Sequence, residues 1–335
     1  MELTQPVPAS NSEPVITVNN VTKVFGKEAA VSNLTFDVHE GTIVGLIGPS
    51  GCGKTTTVRL LTGIYHPTEG EVSVFNHDPR KFSAAQRNLI GYMPQHFPLY
   101  PDLSVSENMN FAASIYGRGI FSRKKRINEL LEFVELPDSS RKLARNISGG
   151  MQRRLALAST MIHDPALFFL DEPTAGIDPI LRRKFWNQFV ALKNEGKTLI
   201  ITTQYVNEAA YCDYVGVMAE GKLLLLETPE QLRHRAFGGD VINLSTEQSV
   251  DYALLREIEA LPFNRSKAQL LSDGTVRLTV DDASTAMPEL MHLLTQREIR
   301  INKLDEYLPP YDDIFVKVVE DYQTSQQAVQ QTEAK

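Results

Sequence analysis

From residue 15 to about residue 236, apolar runs of strand length alternate with longer segments whose apolar positions return every three to four residues. The runs at 15–18, 34–38, 42–47, 70–75, 166–170, 198–202 and 214–218 predict β-strands, and the periodic segments at 55–62, 148–163 and 180–194 predict helices. Strands alternating with helices are the pattern of an α/β domain. The pattern changes at Phe237-Gly238-Gly239-Asp240, which reads as a hinge. Beyond it the expected order is strand (241–244), helix (250–260), strand (268–271), a Ser-Asp-Gly turn, strand (275–280), helix (283–295) and strand (300–304). The Pro- and Ser-rich start and the Gln-rich end are too polar to enter a core and read as flexible tails. The organisation expected is therefore a tail over 1–14, an α/β domain over 15–238, an α+β module over 239–320 and a polar tail over 321–335.

The second module's order, βαββαβ, is that of a ferredoxin-like fold. A length of 335 residues agrees with about two domains. The net charge of −7, from 34 basic and 41 acidic residues, counts against a protein that lives by covering nucleic-acid phosphates, and no nucleic-acid partner is expected. No apolar run approaches the roughly 18 residues that cross a bilayer, so the chain is not expected to span a membrane on its own. Two cysteines far apart fit a reducing compartment. The histidines show no metal-ligand spacing, and Trp186 falls on the apolar side of its helix. The basic run Arg123-Lys124-Lys125-Arg126 reads as a solvated helix face.

Gly48-Pro49-Ser50-Gly51-Cys52-Gly53-Lys54-Thr55 has the spacing G-x-x-x-x-G-K-[ST], with a predicted strand before it and a predicted helix after it. Three glycines let such a loop curl until its N–H groups face an anion, and the helix N-terminus adds partial positive charge there. Lys54 is expected to neutralise the β and γ phosphates of a nucleotide, and the Thr55 hydroxyl to complete a Mg²⁺ shell. Cys52 reads first as a small residue that fits the loop; the alternative, from its place beside Lys54 at the helix start where a thiol pKa is lowered, is inhibition by thiol reagents and protection by nucleotide.

The apolar run Leu167-Phe168-Phe169-Leu170 ends in Asp171-Glu172-Pro173, and between it and the cradle lies Ile147-Ser148-Gly149-Gly150-Met151-Gln152-Arg153-Arg154. With the cradle, these motifs resemble the ATP-binding subunits of ABC transporters over about residues 15 to 236. The resemblance implies a P-loop ATPase with a RecA-like core and a helical subdomain over about 96–160. The family signature is usually written LSGGQ, and this chain departs from it at Ile147 and Met151. Carried over by position, the resemblance places ATP on Gly48 to Thr56, that is Gly48, Pro49, Ser50, Gly51, Cys52, Gly53, Lys54, Thr55 and Thr56. Phe25 becomes the aromatic that stacks on adenine; Thr55, Gln95 and Asp171 the residues at Mg²⁺; and Glu172 the general base. Ser148, Gly149 and Gly150, with Asp178 of the loop Ala175-Gly176-Ile177-Asp178, would face a second ATPase subunit across the nucleotide.

After the strand at 198–202, where the family usually places a histidine, the run is Thr202-Thr203-Gln204-Tyr205. Gln204 can donate a hydrogen bond but cannot carry a proton. Either the site is degenerate and pairs with a competent subunit, or Gln204 bonds the phosphate and braces Glu172, which alone acts as base. Intact Lys54, Asp171 and Glu172 favour the second. The same run followed by Glu208-Ala209 resembles the drug-resistance branch typified by daunorubicin/doxorubicin exporters. That implies a homodimer, or a heterodimer, working on a separate membrane-spanning permease from the inner face of the cell membrane. Export of a drug-like or lipid-like compound is the expectation, with an importer subunit as the alternative, against which the short C-terminal module and Gln204 count. Phe97, Tyr100, Phe111 and Tyr116 read equally as a groove for a permease helix or as the subdomain's own core, and the ending at 307–315 is expected to clamp the dimer, regulate it or pack on its own domain. The stretch between Gln95 and Ser148 holds no heptad run, which sets the chain apart from chromosome-type relatives with an inserted coiled coil.

Overall fold

A computed structural model describes residues 13–333 apart from Phe97 and Ser249, and the side chains of these except residues 120, 121 and 326–333. Residues 1–12 and 334–335 of the expected tails, and Phe97 of the groove or core aromatics, lie outside the described residues. The chain forms two compact units that meet in sequence at Leu226 and Glu227.

In chain order the first unit runs β1 (Ile16–Phe25), β2 (Glu28–Val38), β3 (Ile43–Ile47), α1 (Lys54–Leu61), β4 (Glu69–Val74), α2 (Ala84–Arg87), β5 (Ile90–Met93), α3 (Val105–Ile115), α4 (Ile120–Phe133), α5 (Gly149–Thr160), β6 (Leu167–Asp171), α6 (Pro179–Asn194), β7 (Thr198–Thr203), β8 (Tyr214–Ala219) and β9 (Lys222–Glu227). One sheet has the order β5-β6-β7-β3-β8-β9, parallel from β5 through β8. Every residue of β3, β6 and β7 is buried, as expected of strands covered on both faces, and this is why they stand out as unbroken apolar runs. The second sheet, β2-β1-β4, is antiparallel. Between these layers Val58, Leu60 and Leu61 of α1 join Ile16, Leu34, Val44 and Phe169 in one core. Helices α3, α4 and α5 pack on one another. Trp186 is buried, stacked on Tyr211 with ring centroids 5.1 Å apart.

The basic run on α4 divides. Lys124 and Lys125 are exposed, but Arg123 donates to Ser114 Oγ and Arg118 O, and Arg126 to Met161 O. The solvated-face expectation is corrected for these two, whose guanidinium groups reach the backbone carbonyls of Arg118 and Met161.

The second unit begins earlier than the hinge at 237–240, because α7 (Pro229–Phe237) packs within it. It continues through β10 (Asp240–Thr246), α8 (Tyr252–Glu259), β11 (Gln269–Leu270), β12 (Val276–Val280), α9 (Ala283–Gln296), β13 (Ile301–Glu306) and α10 (Tyr311–Glu333). Its antiparallel sheet has the order β11-β12-β10-β13. Leu244, Leu278, Leu254 and Leu290 centre its core. The flexible reading of 321–335 is corrected as far as Glu333: α10 carries the chain through it as helix. Tyr311, Ile314 and Val318 are buried at helical spacing and α10 packs on α7, with the Arg233 guanidinium 4.4 Å from the Tyr311 ring centroid. The Gln-rich continuation contains good helix formers and no Gly or Pro to stop it.

Candidate nucleotide site

The C-terminal ends of β3, β6 and β7 face one region, the usual place for a ligand on an open parallel sheet. From β3 the chain turns through residues 48–53 into α1. Gly53 caps α1 at φ +104°, and a Cβ there would stand 2.7 Å from Val31 Cγ1 and 2.8 Å from Ala30 O. A Cβ on Gly48 would stand 2.2 Å from Met218 O. The loop therefore lies against its neighbours with no room for side chains at these points. Lys54 is only 4% exposed, and its Nζ donates to Gly48 O at 2.8 Å and Pro49 O at 2.9 Å. Thr56 is half-buried on α1.

At the end of β6, Asp171 is 1% exposed. Its Oδ1 accepts from Thr55 Oγ1 at 3.1 Å and from Thr202 Oγ1 at 2.5 Å. Its Oδ2 is buried without a hydrogen-bond partner. An unpaired carboxylate oxygen in the interior is costly unless a cation meets it. Among the described residues there is no group of three or more His, Cys, Asp or Glu able to hold a metal. One carboxylate and one hydroxyl are the sparse donor set that Mg²⁺ accepts when phosphates complete its shell, so the residues present fit that ion.

Glu172 follows at φ +50°, a left-handed conformation that a side chain adopts at a cost of about 1–2 kcal/mol. Its neighbours hold it there. The Glu172 N–H donates to Thr202 O at 3.1 Å and Thr202 Oγ1 at 2.9 Å, and its carbonyl accepts from Arg153 Nη1 at 2.8 Å. The side chain is met from two sides: Oε2 accepts from Gln95 Nε2 at 2.8 Å, and Oε1 lies 4.0 Å from Lys54 Nζ.

Gln204 sits at the cradle rather than at Glu172: its Oε1 accepts from Ser50 Oγ at 3.3 Å. The expected brace on Glu172 is made by Gln95 instead. Cys52 is also corrected, because burial pushes its thiol pKa up against the pull of Lys54, 3.9 Å from its Sγ. Ser148 and Asp178 cap the N-termini of α5 and α6, accepting from Met151 N and Leu181 N. Among the described residues, Ser148, Gly149, Gly150 and Asp178 make no hydrogen bond to the cradle. A Cβ on Gly150 would stand 2.8 Å from Leu181 Cδ2. Phe25 is 44% exposed at the end of β1, edge-on to Tyr65 with centroids 5.1 Å apart.

Two supports were not anticipated from the sequence. Arg153 also donates to Ala175 O at 2.5 Å, so it binds the backbone on both sides of Pro173-Thr174. Thr202 serves both acids. Their only sequence signal is placement, the first arginine after the Ser-Gly-Gly turn and a polar residue ending an apolar strand.

Residues 31–175 match the family model described as ABC transporter. The ABC transporter ATP-binding protein YbhF of Escherichia coli (strain K12) is 35% identical over 310 residues, 92% of this chain and 52% of YbhF, so the chain spans about half the length of that relative. The daunorubicin resistance ATP-binding protein DrrA3 of Streptomyces coeruleorubidus is 32% identical over 315 residues, covering 92% of this chain and 97% of DrrA3. The dimeric structure of MJ0796, a bacterial ABC transporter cassette, matches with a TM-score of 0.59 at 30% identity, over 64% of this chain and 98% of that one. Phosphate cradle, paired acids and a relative matched almost end to end agree: the chain belongs to the family of ABC transporter ATP-binding proteins.

Proposed function

We propose that this chain binds and hydrolyses ATP as the ATP-binding subunit of an ABC transporter, powering a separate membrane-spanning permease in export of a drug-like or lipid-like compound. The observation that carries this reading is the convergence of Lys54 and Gln95 on the Glu172 carboxylate, beside an Asp171 that keeps one buried oxygen unpaired. The resistance named for DrrA3 supports the class of cargo. No helix among the described residues is long and apolar enough to cross a membrane; the place proposed for the chain is the inner membrane face, held there by the permease.

ATP lies with its phosphates in the loop of residues 48–53, and Lys54 turns from the loop carbonyls toward the β and γ oxygens. Thr55, Asp171 and Gln95 are the residues that would hold Mg²⁺, and the ion would supply neutralisation of phosphate charge. Glu172 takes a proton from the attacking water, oriented by the bond from Gln95. Gln204, already at Ser50, donates its amide N–H to the γ-phosphate. A second copy presents its Ser148-capped helix start to that phosphate, where N–H groups and helix dipole favour an anion. Binding thus joins two copies and hydrolysis parts them, a two-state element biased by ligand. The permease docks on the exposed faces of Tyr100 (47%) and Phe111 (40%), which meet edge to face 4.5 Å apart. Tyr116 is not part of that face, because its ring stacks on His163 at 3.7 Å.

Phosphate release by the purified chain tests the reading. Turnover is expected, lost in Glu172→Ala and partly retained in Gln204→Ala. Absence of turnover in every homodimeric preparation overturns the catalytic reading and leaves the paired, degenerate one.

A further inference from the structure

In the proposed reaction the first turn of α1 meets the phosphates, and its last turn lies away from them. Arg59 stands in that last turn, half-buried. Its Nη1 donates to the Tyr65 hydroxyl at 2.8 Å, and its carbonyl accepts from Tyr65 N at 2.9 Å. Tyr65, in the loop after the helix, is therefore tied to one residue by both side chain and backbone. The hydroxyl of Tyr92 on β5, the strand that leads to Gln95, also lies near the Arg59 guanidinium. The Tyr65 ring meets Phe25 edge to face, with centroids 5.1 Å apart and planes at 71°. An exposed ring at a strand end has few neighbours to fix its orientation, and an edge-to-face contact is directional. The contact orients Phe25 only if Tyr65 is itself immobile, and Arg59 supplies that.

We propose that Arg59 is a positioning residue for the nucleobase: through Tyr65 it sets the Phe25 ring on which the base stacks. One short helix then serves both ends of the ligand, the phosphates at Lys54 and Thr55 and the base at Arg59. This rests on the reading of Phe25 as the base platform. A cation in the last turn of a helix also offsets the helix dipole, but that role would support the phosphate and base ends alike.

The two roles separate when ATP is compared with inorganic tripolyphosphate, which has the phosphates and no base. Calorimetric titration of the full chain in Mg²⁺ is expected to show Arg59→Met weakening ATP about five- to tenfold, with tripolyphosphate within about twofold of the parent. In steady-state turnover with ATP varied, KM should rise while kcat stays within about twofold. Tyr65→Phe deletes the bond and keeps the ring; it should show a smaller loss of the same kind, and the double variant should bind no worse than Arg59→Met. Should Arg59→Met fold poorly, Tyr65→Phe carries the comparison alone. Equal weakening of both ligands, or no weakening of ATP, overturns the inference. Phe25→Ala is the control for the underlying reading: if it leaves ATP affinity unchanged, the base platform is misassigned and the inference falls with it. If Phe25→Ala weakens ATP and the other variants do not, the inference alone fails.

Discussion

Gln95 Nε2 donates to Glu172 Oε2 at 2.8 Å, so the residue that follows β5 by two positions holds the acid that follows β6. The bond spans 77 residues of sequence and fixes the carboxylate of the proposed base. Gln95→Ala should lower the rate of phosphate release about tenfold, because the carboxylate samples unproductive orientations, while ATP affinity stays within about twofold. Gln95→Glu places a second carboxylate at the same spot. Like charges raise one of the two pKa values, so the acidic limb of the pH–rate profile should move to higher pH. An unmoved limb would show that the two side chains do not meet in the working enzyme.

Thr202 bonds both Asp171 Oδ1 and the Glu172 N–H, and it is fully buried. Thr202→Val keeps the shape and removes both bonds, one of them to a carboxylate. Thr55 Oγ1 and the backbone carbonyl of residue 202 remain as partners, so the cost is that of the two bonds, about 1–3 kcal/mol. Urea unfolding should show that loss for Thr202→Val and a smaller one for Thr202→Ser, which retains the hydroxyl.

Cys52 should be a slow thiol. Burial raises its pKa above the ordinary 9.0, so the thiolate is the minor form at neutral pH. Alkylation by a small maleimide should rise about tenfold per pH unit from pH 7 to 9 and stay far below the rate of a free thiol. Labelling at the speed of free cysteine at pH 7 would contradict the buried position.

His163 stacks on Tyr116 with planes at 11°, and its Nε2 lies 2.9 Å from Ile90 O. Burial, with Arg118 and Arg126 nearby, lowers its pKa below the ordinary 6.5, while the contact with the Ile90 carbonyl and Asp164 oppose the shift. The unfolded chain then takes up a proton at a higher pH than the folded one. Stability from this group is complete above pH 6.5, declines as pH falls from there toward the folded-state pKa, and levels off below it. His163→Phe keeps a stacking ring without the titration. Melting temperatures followed from pH 7.5 to 5 should converge or cross as the parent loses more than the variant; parallel curves would refute the assignment.

The cradle was legible because its chemistry is contiguous: glycines, Lys54 and Thr55 act within one turn of chain. The strands β3, β6 and β7 were legible because burial on both faces demands unbroken apolar runs. β5, β9, α3 and α7 were not assigned, since short or mixed patterns do not separate helix, strand and loop without neighbours. α10 shows the opposite failure: Tyr311, Ile314 and Val318 had helical spacing, but the polar residues after them dominated the reading.

The sequence by itself determined that a loop of this chain can curl around phosphates and that an apolar strand ends in two acids, because both depend on backbone conformation and residue type within a few positions. Tertiary structure alone decided which polar groups hold those acids. Thr55 reaches Asp171 across 116 residues and Thr202 reaches it across 31, through the register of β6 against β7. Hydrogen bonds require partners within about 3.5 Å, and only the folded sheet sets which side chains come that close.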